Sequence, residues 1–347
     1  MMFSFIVIAR NMEECAPALE SLHALKEEPV EVIVALGTNP SQQRNEAAAR
    51  ASGRYLVFLD NDSRVDSRLL HYYRDAIDYS PSVKIVGGPS LYDGRPSLRA
   101  KTFQSVFASV FGLGPFRSRY VSLGRVREAS ERELILCNLL VERELFLTEG
   151  GFHLDLYPNE ENEFITRVRA RAQSFYHPLA ICRREAPLSL GEFSSRVFRY
   201  GRGRAKHLVM NPSRWNLIFL IALAFSIYVI GLSTTAIGLT VSHLTGAEVS
   251  SPDLSQLAFG PVSVALFPIA LYGLLALGAA SAAAFENKRP LLFLTLPPSF
   301  FICHFFYGLG LLYGLSKYPL GRRSRARSKV DLRVMTLHSS LKVIGDL

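Results

Sequence analysis

The chain has 347 residues, enough for an α/β domain of about 200 residues and a second module. Its formal charge of +9 gathers in two clusters, Arg196 to Arg214 and Lys317 to Lys329, on either side of long uncharged stretches. That placement, with no aromatic interleaving, argues against nucleic acid as a partner and for anionic lipid head groups.

The N-terminal run MMFSFIVIAR is too short for a signal peptide and meets acidic residues at once. It reads as a first strand, Phe3–Ala9, which predicts a domain that stays in the cytoplasm. Val30–Leu36 is a second strand, and Ala16–Lys26 between them has helical spacing. Ser41–Ser52 reads as a helix stopped by Gly53, and Tyr55–Leu59 as a third strand. Strand–helix alternation predicts parallel strands joined by crossover helices, with ligands beyond the carboxyl ends of the strands. The four cysteines, Cys15, Cys137, Cys182 and Cys303, follow no CxxC or metal-ligand spacing, which predicts free thiols in a reducing compartment.

Directly after Leu59 come Asp60-Asn61-Asp62. Two carboxylates at the mouth of a buried strand can hold Mg²⁺ or Mn²⁺ through oxygen and so neutralise a departing diphosphate. Asp and Asn are equally favoured in a polar turn that ends a strand. A second acidic cluster, PNEENEF, opens a predicted helix over Pro158–Ala172. Glu160, Glu161 and Glu163 suit the helix dipole there, and Glu163 can pair with Arg167 four residues on. A solvated helix start accounts for them. So does a general base, which must reach an acceptor hydroxyl. The third cluster, RVFRYGRGRAKH at Arg196–His207, fits either a diphosphate clamp or a basic amphipathic helix on a membrane surface.

Three apolar runs without Asp, Glu, Lys or Arg predict membrane spans near Asn216–Val241, Ala258–Phe285 and Leu291–Leu315. Arg199, Arg202, Arg204, Lys206 and Arg214 precede the first, and the loop Ser242–Leu257 holds no Lys or Arg. The first span therefore runs outward and the second returns, which leaves Lys288 and Arg289 inside. A third crossing would put the tail GRRSRARSK outside, against that tendency. Pro297-Pro298 predicts a break or a re-entrant segment as the alternative. His304 lies in this run, and a histidine satisfied by a neighbouring helix is the simpler reading.

Taken in order, these elements resemble family 2 glycosyltransferases of the GT-A fold, and most closely the membrane-bound, succinoglycan-type enzymes of exopolysaccharide synthesis. FIVIARNMEE is similar to the opening strand and loop, QQRNEAAARASGRYLVFLDND to the helix, strand and metal motif, and CNLLVERELFLTEGGF to the acceptor-side segment. PNEENEF resembles the base motif, RVFRYGRGRA the Gln-x-x-Arg-Trp motif, and HFFYGLGLLYGL the last membrane segment.

The resemblance implies an α/β, Rossmann-like GT-A domain with a mostly parallel sheet over residues 1–188. An interfacial segment (189–214), a transmembrane region (215–316) and a basic tail (317–347) follow. It implies Glu161 as catalytic base with Glu160 able to share the role, and Asp60 and Asp62 as ligands of the divalent cation. Ala9, Arg10, Arg44, Asn45, Asp60, Asp62, Arg196, Arg199 and Tyr200 would bind the nucleotide-sugar donor, and Asn138 would lie on the acceptor side. The implied reaction is inverting transfer to a lipid-linked acceptor at the cytoplasmic face of a cell membrane.

Departures from the family pattern bear on this. Glu161 stands where Asp is usual. VALGTNPS lacks the Asp that reads the base, which leaves UDP, GDP and dTDP sugars open. Arg196 and Tyr200 replace Gln and Trp, which favours single additions over polymerisation. Two alternatives stay open, a transferase acting on polyprenyl phosphate itself and a non-catalytic nucleotide-sugar-binding membrane protein.

Overall fold

The computed structural model describes residues 2–25, 29–93, 97–210, 217–245, 261–317 and 328–337. The chain divides into two compact units. The first comprises Met1–Ala108, Leu113–Pro187 and Gly321–Leu347, and the second Ser109–Gly112 with Leu188–Leu320.

In the first unit, strands β1 (Phe3–Ala9), β2 (Val30–Leu36) and β3 (Tyr55–Asp60) are apolar at successive positions. Such strands are stable only where both faces of the sheet are covered. Helix α1 (Ala16–Leu22) covers one face, where Ala18 and Leu22 meet Phe5 and Val7. Helix α2 (Pro40–Arg50) covers the other, where Ala47 and Ala48 meet Ile6 and Ile33. Asn39 caps α2 by accepting from the Gln42 N–H, and Pro40 sits at its first position, where no N–H is needed. The predicted helix end at Lys26 lies outside the described residues.

The three strands are parallel, with Ala9 opposite Leu36 and Ile8 opposite Asp60, so their carboxyl ends lie level. Further on come β4 (Arg64–Val65), α3 (Leu69–Ile77), β5 (Val83–Gly87), β6 (Ser90–Tyr92), α4 (Leu98–Ala108) and the short α5 (Val110–Leu113). Then follow β7 (Arg127–Glu128), β8 (Leu139–Glu142), α6 (Arg143–Thr148), α7 (Glu160–Val168), β9 (Gln173–Tyr176) and β10 (Cys182–Arg184). A last strand, β11 (Asp331–Leu337), completes the main sheet, whose order is β11-β2-β1-β3-β8-β5-β9-β7.

The parallel arrangement read from the sequence holds around β1 and again for β5 and β9. The sheet as a whole is mixed, because β8 runs antiparallel to both β3 and β5. A small second sheet, β4-β10-β6, lies beyond the end of β3. Sequence analysis did not anticipate β11. It pairs antiparallel with β2 from Asp331↔Leu36 to Leu337↔Val30, along the exposed edge of that strand. All four cysteines are buried free thiols, as their spacing predicts.

The second unit holds α8 (Leu190–Met210), α9 (Ile218–Leu244), α10 (Pro261–Glu286) and α11 (Leu292–Lys317). The last three are long and apolar enough to cross a membrane. They begin close to the boundaries predicted from the sequence, although Arg214, Asn216 and Ala258 lie outside the described residues. Helix α11 runs through Pro297 and Pro298 without ending, so the predicted break does not occur there. The prolines fall in its second turn, where only the carbonyls of the first turn lose a donor.

His304 bonds the hydroxyl of Tyr272 on α10 (2.9 Å) and the Gly112 carbonyl (3.2 Å), a histidine satisfied by its neighbours. Glycines let α8 and α11 touch backbone to backbone. A Cβ on Gly201 would collide with the Tyr307 carbonyl, and one on Gly310 with the Phe198 carbonyl. Gly310→Ala should therefore destabilise the second unit by about 1–3 kcal/mol, the usual cost of overpacking. Thermal unfolding in detergent checks this, and an unchanged midpoint would show that the two helices separate freely.

Candidate active site

Asp60 ends β3, and the chain then turns: the Ser63 N–H donates to the Asp60 carbonyl and the Asp60 N–H to Ser63 Oγ, both at 3.1 Å. Behind the strand ends, α2 points two polar side chains inward. Gln43 Nε2 donates to the carbonyls of Ala9 (2.8 Å) and Ala35 (2.5 Å), which ties the ends of β1 and β2 together. One residue on, Arg44 bridges two carboxylates, donating to Asp60 Oδ1 and to Glu160 Oε1 at 2.8 Å each. Its side chain is 2% exposed.

Glu160 opens α7 and is fully buried, as is most of its neighbour Glu161. The solvated helix start considered from the sequence is therefore not what the fold builds, although Glu163 does pair with Arg167 at 2.8 Å. Burial pushes the Glu160 carboxyl from its ordinary 4.5 up to about 7. The Arg44 charge opposes that rise and the Glu161 charge adds to it. Both Glu160 oxygens are engaged, Oε2 by the Asn159 N–H at 3.0 Å. The contacts of Glu161 fall on Oε1, which lies 3.7 Å from Arg119 and 3.3 Å from Asn162 Nδ2.

Arg184 completes the cluster. Strand β10 carries it there by pairing antiparallel with β4 and parallel with β6. Its Nε donates to Asp62 Oδ1 at 2.9 Å, and a terminal nitrogen lies 3.2 Å from Asp60 Oδ2. The two carboxylates thus converge on one cationic group. Carboxylate oxygens are also the hard donors that a divalent cation prefers. Among the described residues, no group of three His, Cys, Asp or Glu forms a complete metal cage. Asp60 and Asp62 could supply two oxygen ligands to a divalent cation, with the remainder from outside these side chains.

The other predicted positions are placed as follows. Ala9 is buried at the end of β1 with its carbonyl on Gln43. The Arg10 N–H donates to Glu14 Oε2 (3.1 Å), which also accepts from Asn61 Nδ2 (3.4 Å), so Glu14 links the loop after β1 to the Asp60–Asp62 turn. The Asn45 amide is committed at both ends to the Phe152 backbone, at 2.8 and 2.9 Å. Gly151 precedes it with φ +69°, and a Cβ there would sit 2.6 Å from Asn45 Oδ1. Asn138 is likewise spent on the Ala180 carbonyl (2.6 Å) and the Tyr73 hydroxyl (2.7 Å). Arg196, Arg199 and Tyr200 lie on α8 in the second unit, where Arg196 pairs with Glu192 at 3.1 Å.

The sequence motifs do not mark Arg184, Arg119 or Glu14. For Arg184 the available signal was a pair of arginines in a segment that otherwise reads as a short buried strand, ICRRE. Arg119 carries no local signal, because only the fold sets it against α7.

No protein-family model and no curated protein matches the chain. Among solved structures, the mannosyltransferase PcManGT from Pyrobaculum calidifontis, in complex with GDP-Man and Mn²⁺, is similar at 15% identity and a TM-score of 0.49, over 86% of each chain. S. aureus TarS 1-349 in complex with UDP is similar at 16% identity and a TM-score of 0.41, over 96% of each chain. The same protein with UDP-GlcNAc is similar at 17% identity and a TM-score of 0.38, over 94% of this chain and 93% of that one. At these values the likenesses are too loose to assign an activity.

Proposed function

We propose that this chain is a membrane-anchored glycosyltransferase of the family 2 type. It would transfer a sugar with inversion from a nucleotide-sugar donor to a lipid-linked saccharide at the cytoplasmic face. The observation that carries this reading is the ion-pair chain Asp62–Arg184–Asp60–Arg44–Glu160. It joins the acidic turn after β3 to the acidic start of α7, the two segments that the motif resemblance names as cation site and base.

Asp60 and Asp62 would hold Mg²⁺ or Mn²⁺, which supplies positive charge to the diphosphate as it departs. Arg44 pairs with Asp60 and fixes it beside Glu160. Arg184, once released from the carboxylates, has the forked geometry that suits phosphate oxygens. Glu161 takes the proton of the acceptor hydroxyl, which attacks the anomeric carbon from the face opposite the nucleotide. Arg196, Arg199 and Tyr200 are assigned to the donor diphosphate and acceptor by the motif resemblance alone.

Purified protein incubated with Mn²⁺ or Mg²⁺ and a panel of nucleotide sugars tests the proposal by nucleotide release, with and without membrane lipid extract. Lipid-stimulated release from one donor, lost on chelation, is expected. No release from any donor by folded protein would refute the enzyme reading. Asp62→Ala should weaken donor binding in the presence of Mn²⁺ by roughly 10–100-fold, the worth of one charge-assisted contact. Calorimetric titration with the donor measures it, and unchanged affinity would remove Asp62 from the cation site.

A further inference from the structure

We infer that the chain crosses the membrane twice, and that α11 lies in the membrane–water interface instead of crossing. The inference rests on α9 and α10 being membrane spans, and not on the reaction proposed above.

The first observation concerns parity. The chain leaves the first unit after Pro187 and rejoins it at Gly321. From Asp331 to Leu337 it then pairs along β2 within one hydrogen-bonded sheet. A bilayer has two sides, so a segment that starts and ends in the same sheet completes an even number of crossings. Three helices in that segment are long and apolar enough to cross. At least one of them does not.

The contacts of α11 identify it. Its second half is locked to α8: Gly201 lies against Tyr307 and Leu311, while Gly310 and Gly314 lie against Phe198, Arg202 and Ala205. Helix α8 carries Arg196, Arg199, Arg202 and Lys206, which confine it to the head-group region. The second half of α11, in backbone contact with α8, shares its depth.

Toward α9, the contacts of α11 fall on the first turns. Tyr307 stacks on Phe219, Gly308 meets Ala222, Phe301 meets Phe225, and Ser226 Oγ donates to the Phe305 carbonyl at 2.8 Å. Phe219 to Ser226 spans about 10 Å of helix rise, a third of the hydrocarbon thickness. The later α9 residues Ile237, Leu239 and Val241 are exposed side chains, suited to lipid.

The charges agree with this arrangement. Lys288 and Arg289 precede α11, Lys317 ends it, and the run GRRSRARSK follows. With α11 in the plane, every basic cluster is on one side, and the conflict with the positive-inside tendency disappears.

Single cysteines on either side of α11 decide the matter. Thr245, Lys288 and Lys329 are exposed, and the four native thiols are buried, so the unsubstituted protein supplies the background. Thr245→Cys, Lys288→Cys and Lys329→Cys are treated with a membrane-impermeant maleimide in sealed vesicles of each orientation. Lys288→Cys and Lys329→Cys are expected to label from one side and stay at background from the other, with Thr245→Cys the reverse. Lys329→Cys labelling together with Thr245→Cys would mean that α11 crosses, and would overturn the inference. All three labelling from one side would overturn it as well, since α9 and α10 would then not cross. A reporter fused after Leu347 gives a second reading without any cysteine, and its side must match that of Lys288→Cys.

Discussion

Arg44→Met is expected to lower the stability of the purified protein by about 3–5 kcal/mol, the cost of removing one partner from a buried charge network. The guanidinium is enclosed between Asp60 and Glu160, and its loss leaves Glu160 without a counter-charge in a site closed to water. The effect carries a pH signature. Glu160 titrates near 7 in the folded chain against an ordinary 4.5, so folding takes up a proton between those values. The stability supplied by protonated Glu160 is complete below about pH 4.5 and is lost as pH rises through about 7. Without Arg44 the carboxyl rises further, so the cost of the substitution should be larger at pH 8 than at pH 5. Adding Glu160→Gln should recover part of the loss and flatten the pH dependence. Denaturant unfolding at the two pH values reads both effects. A pH-independent cost below about 1 kcal/mol, the range of an exposed pair, would show that water reaches this site.

Glu161→Gln should reduce turnover by about 10²–10⁴-fold, the usual contribution of a general base, while leaving nucleotide-sugar affinity in place. The motif resemblance names Glu161, and the hydrogen bonding supports it over Glu160. Glu160 has one oxygen on Arg44 and the other on a backbone N–H, whereas the contacts of Glu161 fall on a single oxygen. Glu160→Gln should instead disturb Arg44 and Asp60, and so weaken donor binding. Steady-state turnover alongside direct donor titration separates the two. Full turnover by Glu161→Gln, with loss in Glu160→Gln, would exchange their roles.

The candidate site is legible where carboxylates follow directly on a strongly patterned element. Asp60 and Asp62 stand at the end of an apolar strand, and Glu160 and Glu161 at the start of a helix, so position alone drew attention to them. The motif resemblance points to Arg44 but not to its partners, because a helix residue gives no sign of which distant carboxylates it will meet. Asn45 and Asn138 show the converse. Their motif positions suggest ligand contact, whereas in the fold Asn45 bonds the Phe152 backbone and Asn138 the Ala180 carbonyl and the Tyr73 hydroxyl.

The sequence by itself determined the first three strands, the helix that positions Arg44, and the three apolar helices. In each, hydrophobic periodicity or an unbroken apolar run acts over a few residues and needs no distant partner. Only the tertiary structure decided the mixed character of the sheet, the arrival of Arg184 between Asp60 and Asp62, and the return of Asp331–Leu337 to the edge of β2. Those outcomes depend on which strand edges meet across long loops. Edge pairing is made by backbone groups that every residue carries, and therefore leaves little trace in side-chain pattern.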